Sequence, residues 1–412
     1  MWYNKEGDEK WKKIIYETIE KEMEELKSRM KKCYYSKSGL NEAEKYMKGL
    51  LSRTERKNGW QMSEVLGEST PYKMQQFIYR GRWSADELRE VMREYVKEKF
   101  QDESAVLVMD ETGFLKQGKM SAGVQRQYSG TAGKIENCQI GVFMNYAVND
   151  KFCCIDRGLY IPRQWTDDRE RCRKAGIPDN CEFRTKPEMA LEMIKHAYEN
   201  GIAFEWAAGD SVYGADKNIQ KYLEEKNKKY MFAVSGKEYF RIGFRQYPVK
   251  AVREQLDEEK WAEISTGDGT KGEKRFQWQS IEVNCTDSEH KKYLIFRRSL
   301  SDETEVRAYI AYGNVETRLE EFVKTAGIRW TIEMNFAEMK GETGLDQYEV
   351  RSYNGWYKHI TLSCLAHAFL TVLREQFQEI PDMTAESETN MDAFKKRKKS
   401  ESLSAKQKSD VL

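Results

Sequence analysis

Apolar and polar positions recur with different periods along the chain, and the first hundred residues follow a helical period. In residues 1–37 the apolar positions lie between Glu and Lys at helical spacing, which predicts a charged amphipathic helix. In residues 38–100 the helical stretches are shorter. One of them, around Trp60, closes at Gly67, and the next is predicted to begin near Thr70. Two short helices around a glycine turn are the outline of a helix-turn-helix, so we expect a small all-α DNA-binding domain at 38–100, although many helical hairpins bind nothing. Its candidate DNA contacts are Lys73, Gln76 and Arg80.

A strand pattern takes over beyond residue 100. The run Ala105–Met109 is apolar without interruption, which predicts a strand buried on both faces. A carboxylate cannot lie unpaired in the dry middle of a sheet, so the following Asp110 is predicted to lie where the strand becomes a loop. The mostly apolar run Phe204–Gly209 ends in the same way at Asp210. Strand ends of this kind are where α/β sheets usually carry their chemistry, although an acidic turn without function would show the same pattern.

The remaining periodicity divides the rest of the chain into four parts. Residues 101–235 are predicted to contain three strands, a helix, a strand, a helix and a strand. Residues 236–318 lose the helical period and are predicted to form a β-rich insertion, and residues 319–378 return to a helical pattern. Residues 379–412 lack periodicity and include a lysine-rich block, which predicts a disordered tail with non-specific attraction to DNA. A chain of 412 residues organised in this way is expected to form two or three domains of α/β class.

Composition indicates the cellular compartment of the protein more clearly than its function. The formal net charge of +1 neither demands nor excludes a nucleic-acid partner, because binding depends on local patches. The eight cysteines are scattered and include no Cys-x-x-Cys pair, which argues against a disulfide framework or a zinc site and for a reducing cytoplasm. No stretch has the apolar length of a membrane span, and the N-terminus is not a signal peptide, so we expect no membrane partner.

Three loop regions are rich in basic residues. The first two, 116–119 and 129–134, contain glycine but lack the spacing of a P-loop, so nucleotide binding is excluded there. The third, 163–174, carries five basic residues around Trp165. It is either a solvated loop or a phosphate-contacting loop with a stacking tryptophan. The candidate phosphate contacts in and around these regions are Lys116, Lys119, Arg126, Arg163 and Arg169.

Two aspartates that hold magnesium would need a further oxygen donor. The candidate is Glu333, in a helical stretch whose apolar stripe is formed by Ile328, Ile332, Phe336 and Met339. At helical spacing Glu333 lies on the border of this stripe together with Arg329 and Lys340, whereas Glu338 points to the far side. A single glutamate on an amphipathic helix is more often part of a solvated ion pair, and from this stretch alone that interpretation is preferred.

The ordered set Asp110, Asp210 and Glu333 resembles the acids of the DDE transposases of bacterial insertion sequences. The spacing of Arg329, Glu333 and Lys340 is similar to the signature of their IS-four-like branch, although Ala326 stands where that signature has a tyrosine, whose role is then absent or supplied elsewhere. The resemblance is closer to the seven-oh-one family of insertion sequences and covers roughly residues 40–375. The matching stretches are Glu55–Trp60, Asp110–Phe114, Gly123–Tyr128, Trp165–Arg169 and Gly344–Asp346.

This resemblance implies an RNase H-like catalytic core with an insertion between the second aspartate and the glutamate. It implies that Asp110, Asp210 and Glu333 hold two Mg²⁺ ions, with Mn²⁺ as a substitute, and that Arg329 and Lys340 contact DNA phosphate. In the reaction implied, one metal activates the attacking water or 3′-hydroxyl and the other stabilises the leaving oxygen. The implied substrate is double-stranded DNA, namely the terminal inverted repeats and the target, bound by a homodimer in the cytoplasm, at the nucleoid.

Three other functions are compatible with parts of this pattern. A domesticated transposase derivative would bind DNA without cutting it, but all three acids are present and give no support for inactivation. A metal-dependent nuclease would cut without strand transfer. A two-carboxylate glycosidase would also use acids at strand ends, but it would need neither the helix-turn-helix nor the lysine-rich tail.

Overall fold

The computed structural model describes residues 5–269, 272–286 and 288–378. Helices form the N-terminal part of this chain. Ser36, Asn58 and Ser84 cap three of these helices, because each accepts a hydrogen bond from a backbone N–H of the first turn. The helix predicted to begin near Thr70 begins at Tyr72, behind Pro71 and without a side-chain cap. The predicted disordered tail lies outside the described residues. The helices are α1 (Lys5–Met30), α2 (Lys37–Leu51), α3 (Gly59–Val65), α4 (Tyr72–Tyr79) and α5 (Ala85–Phe100).

The described chain falls into two compact units. One joins residues 5–28 with residues 369–378, and within it Gln376 Nε2 donates a hydrogen bond of 2.6 Å to Glu22 Oε2. The other unit comprises residues 29–368 and contains the sheet described below. Within the described residues, no helix is both long and apolar enough to cross a membrane.

The second unit is built on a mixed sheet of ten strands. Strand β1 is third in the order along this sheet and has an antiparallel neighbour, β3, on one side and a short parallel neighbour, β5, on the other. Strands β2 and β4 both pair with β3, and β6 continues the parallel part beside β5. The predicted α/β class is therefore confirmed as a mixed sheet with helices. These strands are β1 (Val106–Leu115), β2 (Gln125–Ser129), β3 (Lys134–Val148), β4 (Lys151–Leu159), β5 (Trp206–Gly209) and β6 (Lys229–Val234).

The strands of the predicted insertion extend this same sheet. Antiparallel pairing of β12 with β6 adds four strands in the order β12-β11-β10-β9 to the far side of the parallel part. A separate hairpin, β7–β8, precedes them. The bounds are β7 (Tyr239–Ile242), β8 (Arg245–Pro248), β9 (Ala262–Gly269), β10 (Gly272–Val283), β11 (His290–Arg298) and β12 (Val306–Asn314).

Strand β1 is longer than the sequence pattern predicts. It pairs with β3 along its whole length, from Val106 opposite Ala147 to Leu115 opposite Cys138, so it does not end at Asp110. The parallel pairing with β5 stops earlier, at Met109 opposite Gly209. Asp110 therefore lies inside a strand, at the point where one of its two neighbours ends, and its carboxylate is not enclosed by strands on both sides.

Helices cover both faces of the sheet. On one face Phe143 of β3 packs against Phe336 of α13, with ring centroids 5.3 Å apart, and near Trp356 of α14. On the other face Gly158 of β4 lies against Met189 of α8. Residues 319–378, which are predicted to be helical, form three helices, and a break at Arg329 and Trp330 separates the first two. The remaining helices are α6 (Arg163–Thr166), α7 (Arg169–Lys174), α8 (Lys186–Glu199), α9 (Ser211–Gly214), α10 (Lys217–Glu225), α11 (Val249–Arg253), α12 (Leu319–Ile328), α13 (Thr331–Glu342) and α14 (Tyr353–Gln378).

Candidate active site

Asp110 and Asp210 lie beside each other because β1 and β5 run parallel. Met109 is opposite Gly209, so each aspartate is the next residue at the same edge of the parallel pair. Asp110 Oδ1 accepts a hydrogen bond of 2.8 Å from the backbone N–H of Glu111. Asp210 caps the short helix α9, since its Oδ1 accepts 2.8 Å from Val212 N. Both carboxylates are thus held by local backbone N–H groups and keep further oxygen lone pairs for other partners.

The two aspartates share a site with excess negative charge. Burial, followed by the charges of Asp210 and Glu111, raises the pKa of Asp110 to about 7. Burial and the charge of Glu111 also raise the pKa of Asp210. The guanidinium of Arg329 acts in the opposite direction on both groups. Carboxylates whose pKa is raised by burial and by neighbouring acids are favourable partners for a cation, which would stabilise their ionised forms.

Arg329 links the aspartate pair to Glu333. It lies at the break between α12 and α13, and its Nη2 is 3.8 Å from Glu333 Oε1. Glu333 lies in the first turn of α13, with its side chain half exposed. Over the described ranges no group of three His, Cys, Asp or Glu side chains is arranged to hold a metal ion. The structure therefore brings together Asp110, Asp210 and Arg329, and Glu333 is connected to them through its ion pair with Arg329.

Lys340 lies on the same face of β1 as Asp110. Its Nζ donates to Thr112 Oγ1 at 2.8 Å and to Thr131 Oγ1 at 3.2 Å. Residues two apart in a strand point to the same face, so the Thr112 contact fixes the ammonium close to Asp110 along the strand. Burial lowers the pKa of Lys340. Glu338, on the same helix, is instead paired with His367 Nε2 at 3.1 Å.

No sequence pattern marks Glu111 as a site residue, yet the structure gives its carboxylate two strong partners. Lys186 Nζ donates to its Oε1 at 2.5 Å, and Tyr213 Oη donates to its Oε2 at 2.8 Å. The partners lie 75 and 102 residues away along the chain, so no local pattern could indicate them. Glu111 directly follows Asp110 along β1, and successive side chains of a strand point to opposite faces, so Glu111 points to the face of the sheet opposite to that of Asp110.

The predicted phosphate contacts differ in their exposure and in the partners they already have within the protein. Lys119, Arg126 and Arg163 are exposed, and Arg163 lies over the ring of Phe183 at 4.4 Å. Arg169 is half-buried and donates from Nη1 to the carbonyl of Cys181 at 2.8 Å. Lys116 lies 3.6 Å from the centroid of the Tyr348 ring, and burial lowers its pKa to about 8.

Trp165 cannot be the stacking residue that one interpretation of its loop requires. It is 1% exposed, and its Nε1 donates a hydrogen bond of 2.8 Å to the carbonyl of Val124. The guanidinium of Arg171 lies 3.7 Å from its ring centroid and covers it. The stacking interpretation is therefore wrong, because the large apolar ring serves to anchor the loop to the core.

The candidate contacts on α4 lie on its outer side. Lys73 and Arg80 are exposed and Gln76 is half-buried, while Met74, Phe77 and Ile78 face the interior. The core beneath α4 is aromatic, with the rings of Phe77 and Trp83 stacked at 5.2 Å. The predicted contacts are thus presented by a two-turn helix that is fixed from below.

Family models and one curated relative match most of this chain. The model described as "DDE superfamily endonuclease" matches residues 32–273, and the model described as "Transposase DDE domain" matches residues 185–369. The "Probable transposase for insertion sequence element IS701" of Microchaete diplosiphon is 27% identical over 322 residues, which are 76% of this chain and 77% of the relative.

A solved structure, the C-terminal lobe of a budding yeast Argonaute, is 12% identical to the chain, with a TM-score of 0.20. That match covers 77% of this chain and 58% of the Argonaute lobe. A score of this size carries no conclusion about fold or function.

Proposed function

The chain belongs to the DDE superfamily of endonucleases and is a DDE-type transposase of an insertion sequence, and we propose that it binds the terminal inverted repeats of its element and catalyses metal-dependent strand cleavage and strand transfer. The observation that carries the proposal is the Asp110–Asp210 pair. The two carboxylates lie where parallel pairing of β1 and β5 stops, and they are close enough for the charge of Asp210 to raise the pKa of Asp110.

The donor set fits a divalent metal. Carboxylate oxygens are the ligands that Mg²⁺ prefers, and a carboxyl group with a pKa near 7 gains most from a cation that stabilises its ionised form. We propose Asp110, Asp210 and Glu333 as the residues that hold Mg²⁺, with Mn²⁺ as a substitute and two ions per site. Such ions would supply an activated water or 3′-hydroxyl and would stabilise the leaving oxygen.

The cations around the pair have separate roles in this proposal. Arg329 limits the negative charge at the aspartates and holds Glu333 through their ion pair. Lys340, fixed by Thr112 and Thr131, places an ammonium on the Asp110 face, where it would contact a DNA phosphate. The sheet is consistent with a nuclease-like core, and we propose that residues 101–235 and 319–378 form an RNase H-like core interrupted by the 236–318 insertion.

DNA recognition is proposed for the helical segment at 38–100. The exposed positions Lys73 and Arg80, with Gln76 between them, would contact the inverted repeat. The exposed Lys119, Arg126 and Arg163 would contact phosphate, whereas Lys116 and Arg169 are proposed as weaker contacts because each already has a partner within the protein. We propose that a homodimer assembles on the double-stranded DNA. The helix at 1–37 and the tail at 379–412 are proposed as flanking segments.

Purified protein incubated with a duplex carrying the element's inverted repeats, a target plasmid and Mg²⁺ tests this function. Cleavage at the repeat ends followed by joining to the target is the expected result. Glu333→Gln should abolish both steps, while Glu338→Gln, whose carboxylate is paired with His367, should remain active. Cut ends that are never joined to the target would favour a nuclease without strand transfer. Tight repeat binding without any cutting would favour a non-cutting derivative.

A further inference from the structure

Glu111 is the carboxylate next to Asp110, but its contacts are those of a supporting residue. Both of its oxygens are engaged, Oε1 by Lys186 Nζ at 2.5 Å and Oε2 by Tyr213 Oη at 2.8 Å. Its side chain is only 20% exposed and points away from the Asp110 face of β1. A carboxylate whose two oxygens both accept short hydrogen bonds from the protein is less available to a metal ion than Asp110 or Asp210, each of which has an oxygen without such a bond from the described residues.

Tyr213 connects Glu111 to the element that carries the second aspartate. It is fully buried and lies in α9, the four-residue helix that Asp210 caps. Backbone pairing between β1 and β5 ends at Met109 opposite Gly209, one residue before each aspartate. Past that point, the hydrogen bond from Tyr213 to Glu111 links the strand bearing Asp110 to the helix that begins at Asp210.

The other side of α9 is fixed by close backbone packing. Gly214 lies so near β6 that a Cβ added there would be 2.0 Å from the carbonyl oxygen of Ala233. A helix of a single turn has little internal stability, so its side-chain contacts decide its orientation. With β6 packed on one side of α9, the Tyr213 hydroxyl contacts Glu111 on the other side and so helps to fix the helix whose N-cap is Asp210.

We infer that Glu111 and Tyr213 are positioning residues that set the separation and orientation of Asp110 and Asp210 for divalent-metal binding. The inference rests on the proposed function, since it assumes that the aspartates hold the ion. Lys186 belongs to the same arrangement, because its ammonium neutralises Glu111 beside two other acids. Partners that orient metal ligands in this way usually change metal affinity or activity by about 10- to 100-fold when they are replaced.

Tyr213→Phe is the direct test, because it removes one hydroxyl and keeps the ring. We expect Mn²⁺ affinity, measured by calorimetry on the full chain without DNA, to weaken by about tenfold or more, with a similar loss in cleavage rate. Tyr230→Phe is the matched control. Tyr230 is also buried and donates 2.8 Å to a glutamate, Glu224, but it makes no contact with the aspartate pair. A general loss of packing would affect both variants, whereas the inference predicts that only Tyr213→Phe binds Mn²⁺ more weakly.

A second variant tests whether one bond is responsible. Glu111→Met, which has no oxygen to accept from the Tyr213 hydroxyl, should weaken Mn²⁺ binding. The double variant with Tyr213→Phe should bind Mn²⁺ about as weakly as Glu111→Met alone, because both changes break the same hydrogen bond. Wild-type Mn²⁺ affinity in Tyr213→Phe, together with loss of binding in Asp110→Asn, would overturn the inference while leaving the proposed function intact. Unchanged affinity in Asp110→Asn would overturn the proposed function and the inference together.

Discussion

Replacing Asp110 with asparagine should stabilise the metal-free protein at and above neutral pH. Burial and the charges of Asp210 and Glu111 raise the pKa of Asp110 from 3.8 to about 7. At about 1.4 kcal/mol for each pH unit, this difference corresponds to about 4 kcal/mol. Between about pH 4 and about pH 7 the unfolded chain is ionised at this position while the folded chain keeps the proton, so the free energy of unfolding falls as the pH rises. Above about pH 7 the whole loss is present.

Asparagine has the same shape and cannot ionise, so it avoids this loss. Its side-chain oxygen can still accept the bond from Glu111 N that Asp110 Oδ1 accepts at 2.8 Å. Urea titrations of both proteins in EDTA, at a series of pH values from about 4 to 8, give the difference in unfolding free energy at each pH. We expect the advantage of Asp110→Asn to be near zero at the acid end and to grow to at most about 4 kcal/mol at the alkaline end.

Asp102→Asn provides a control, because the pKa of Asp102 is shifted in the direction opposite to that of Asp110. Hydrogen bonds from Ser104 lower the pKa of Asp102, so its ionised form is favoured in the folded chain and the asparagine variant should gain nothing as the pH rises. If Asp110→Asn shows no more advantage at pH 8 than at pH 5, the carboxyl group of Asp110 is not held in the crowded, desolvated environment described above.

Two further predictions concern the cations. Lys340→Met removes the ammonium held by Thr112 and Thr131, and single-turnover cleavage should fall by at least about tenfold while Mn²⁺ binding is retained; a wild-type rate would remove Lys340 from the site. Simultaneous alanine replacement of Lys73, Gln76 and Arg80 should weaken binding to the inverted repeat in fluorescence anisotropy and make the salt dependence shallower by about two, because two cations are lost. An unchanged salt slope would place recognition outside α4.

The sequence pattern predicts individual elements better than their limits. The apolar run before Asp110 correctly indicates a buried strand, but the strand continues to Leu115 because β3 pairs with it throughout. That pairing depends on residues more than twenty positions away and leaves no local trace. The break at Arg329 is also not predicted by the pattern, because the helical period continues on both sides and Gly327, the nearest glycine, lies inside the last turn of α12.

The acids of the candidate site could be predicted from the sequence, but the residues that position them could not. The two aspartates follow apolar runs, and the resemblance to the DDE transposases added Glu333 to them. The comparisons confirm that family. That Asp110 and Asp210 are neighbours required the parallel pairing of β1 and β5. The contacts of Glu111 join three separate segments. Trp165 was ambiguous because a tryptophan beside arginines suits both a stacking surface and a buried anchor, and only its burial decides.

Metal-dependent cutting by purified Asp110→Asn tests the central claim most directly. The substrate is a labelled duplex carrying the inverted repeat, with Mg²⁺ present and binding measured in parallel. If Asp110 is a metal ligand, the variant should bind the duplex as well as wild type, or slightly more tightly because a negative charge near phosphate is gone, and it should not cut. Cutting by Asp110→Asn at nearly the wild-type rate would contradict the account.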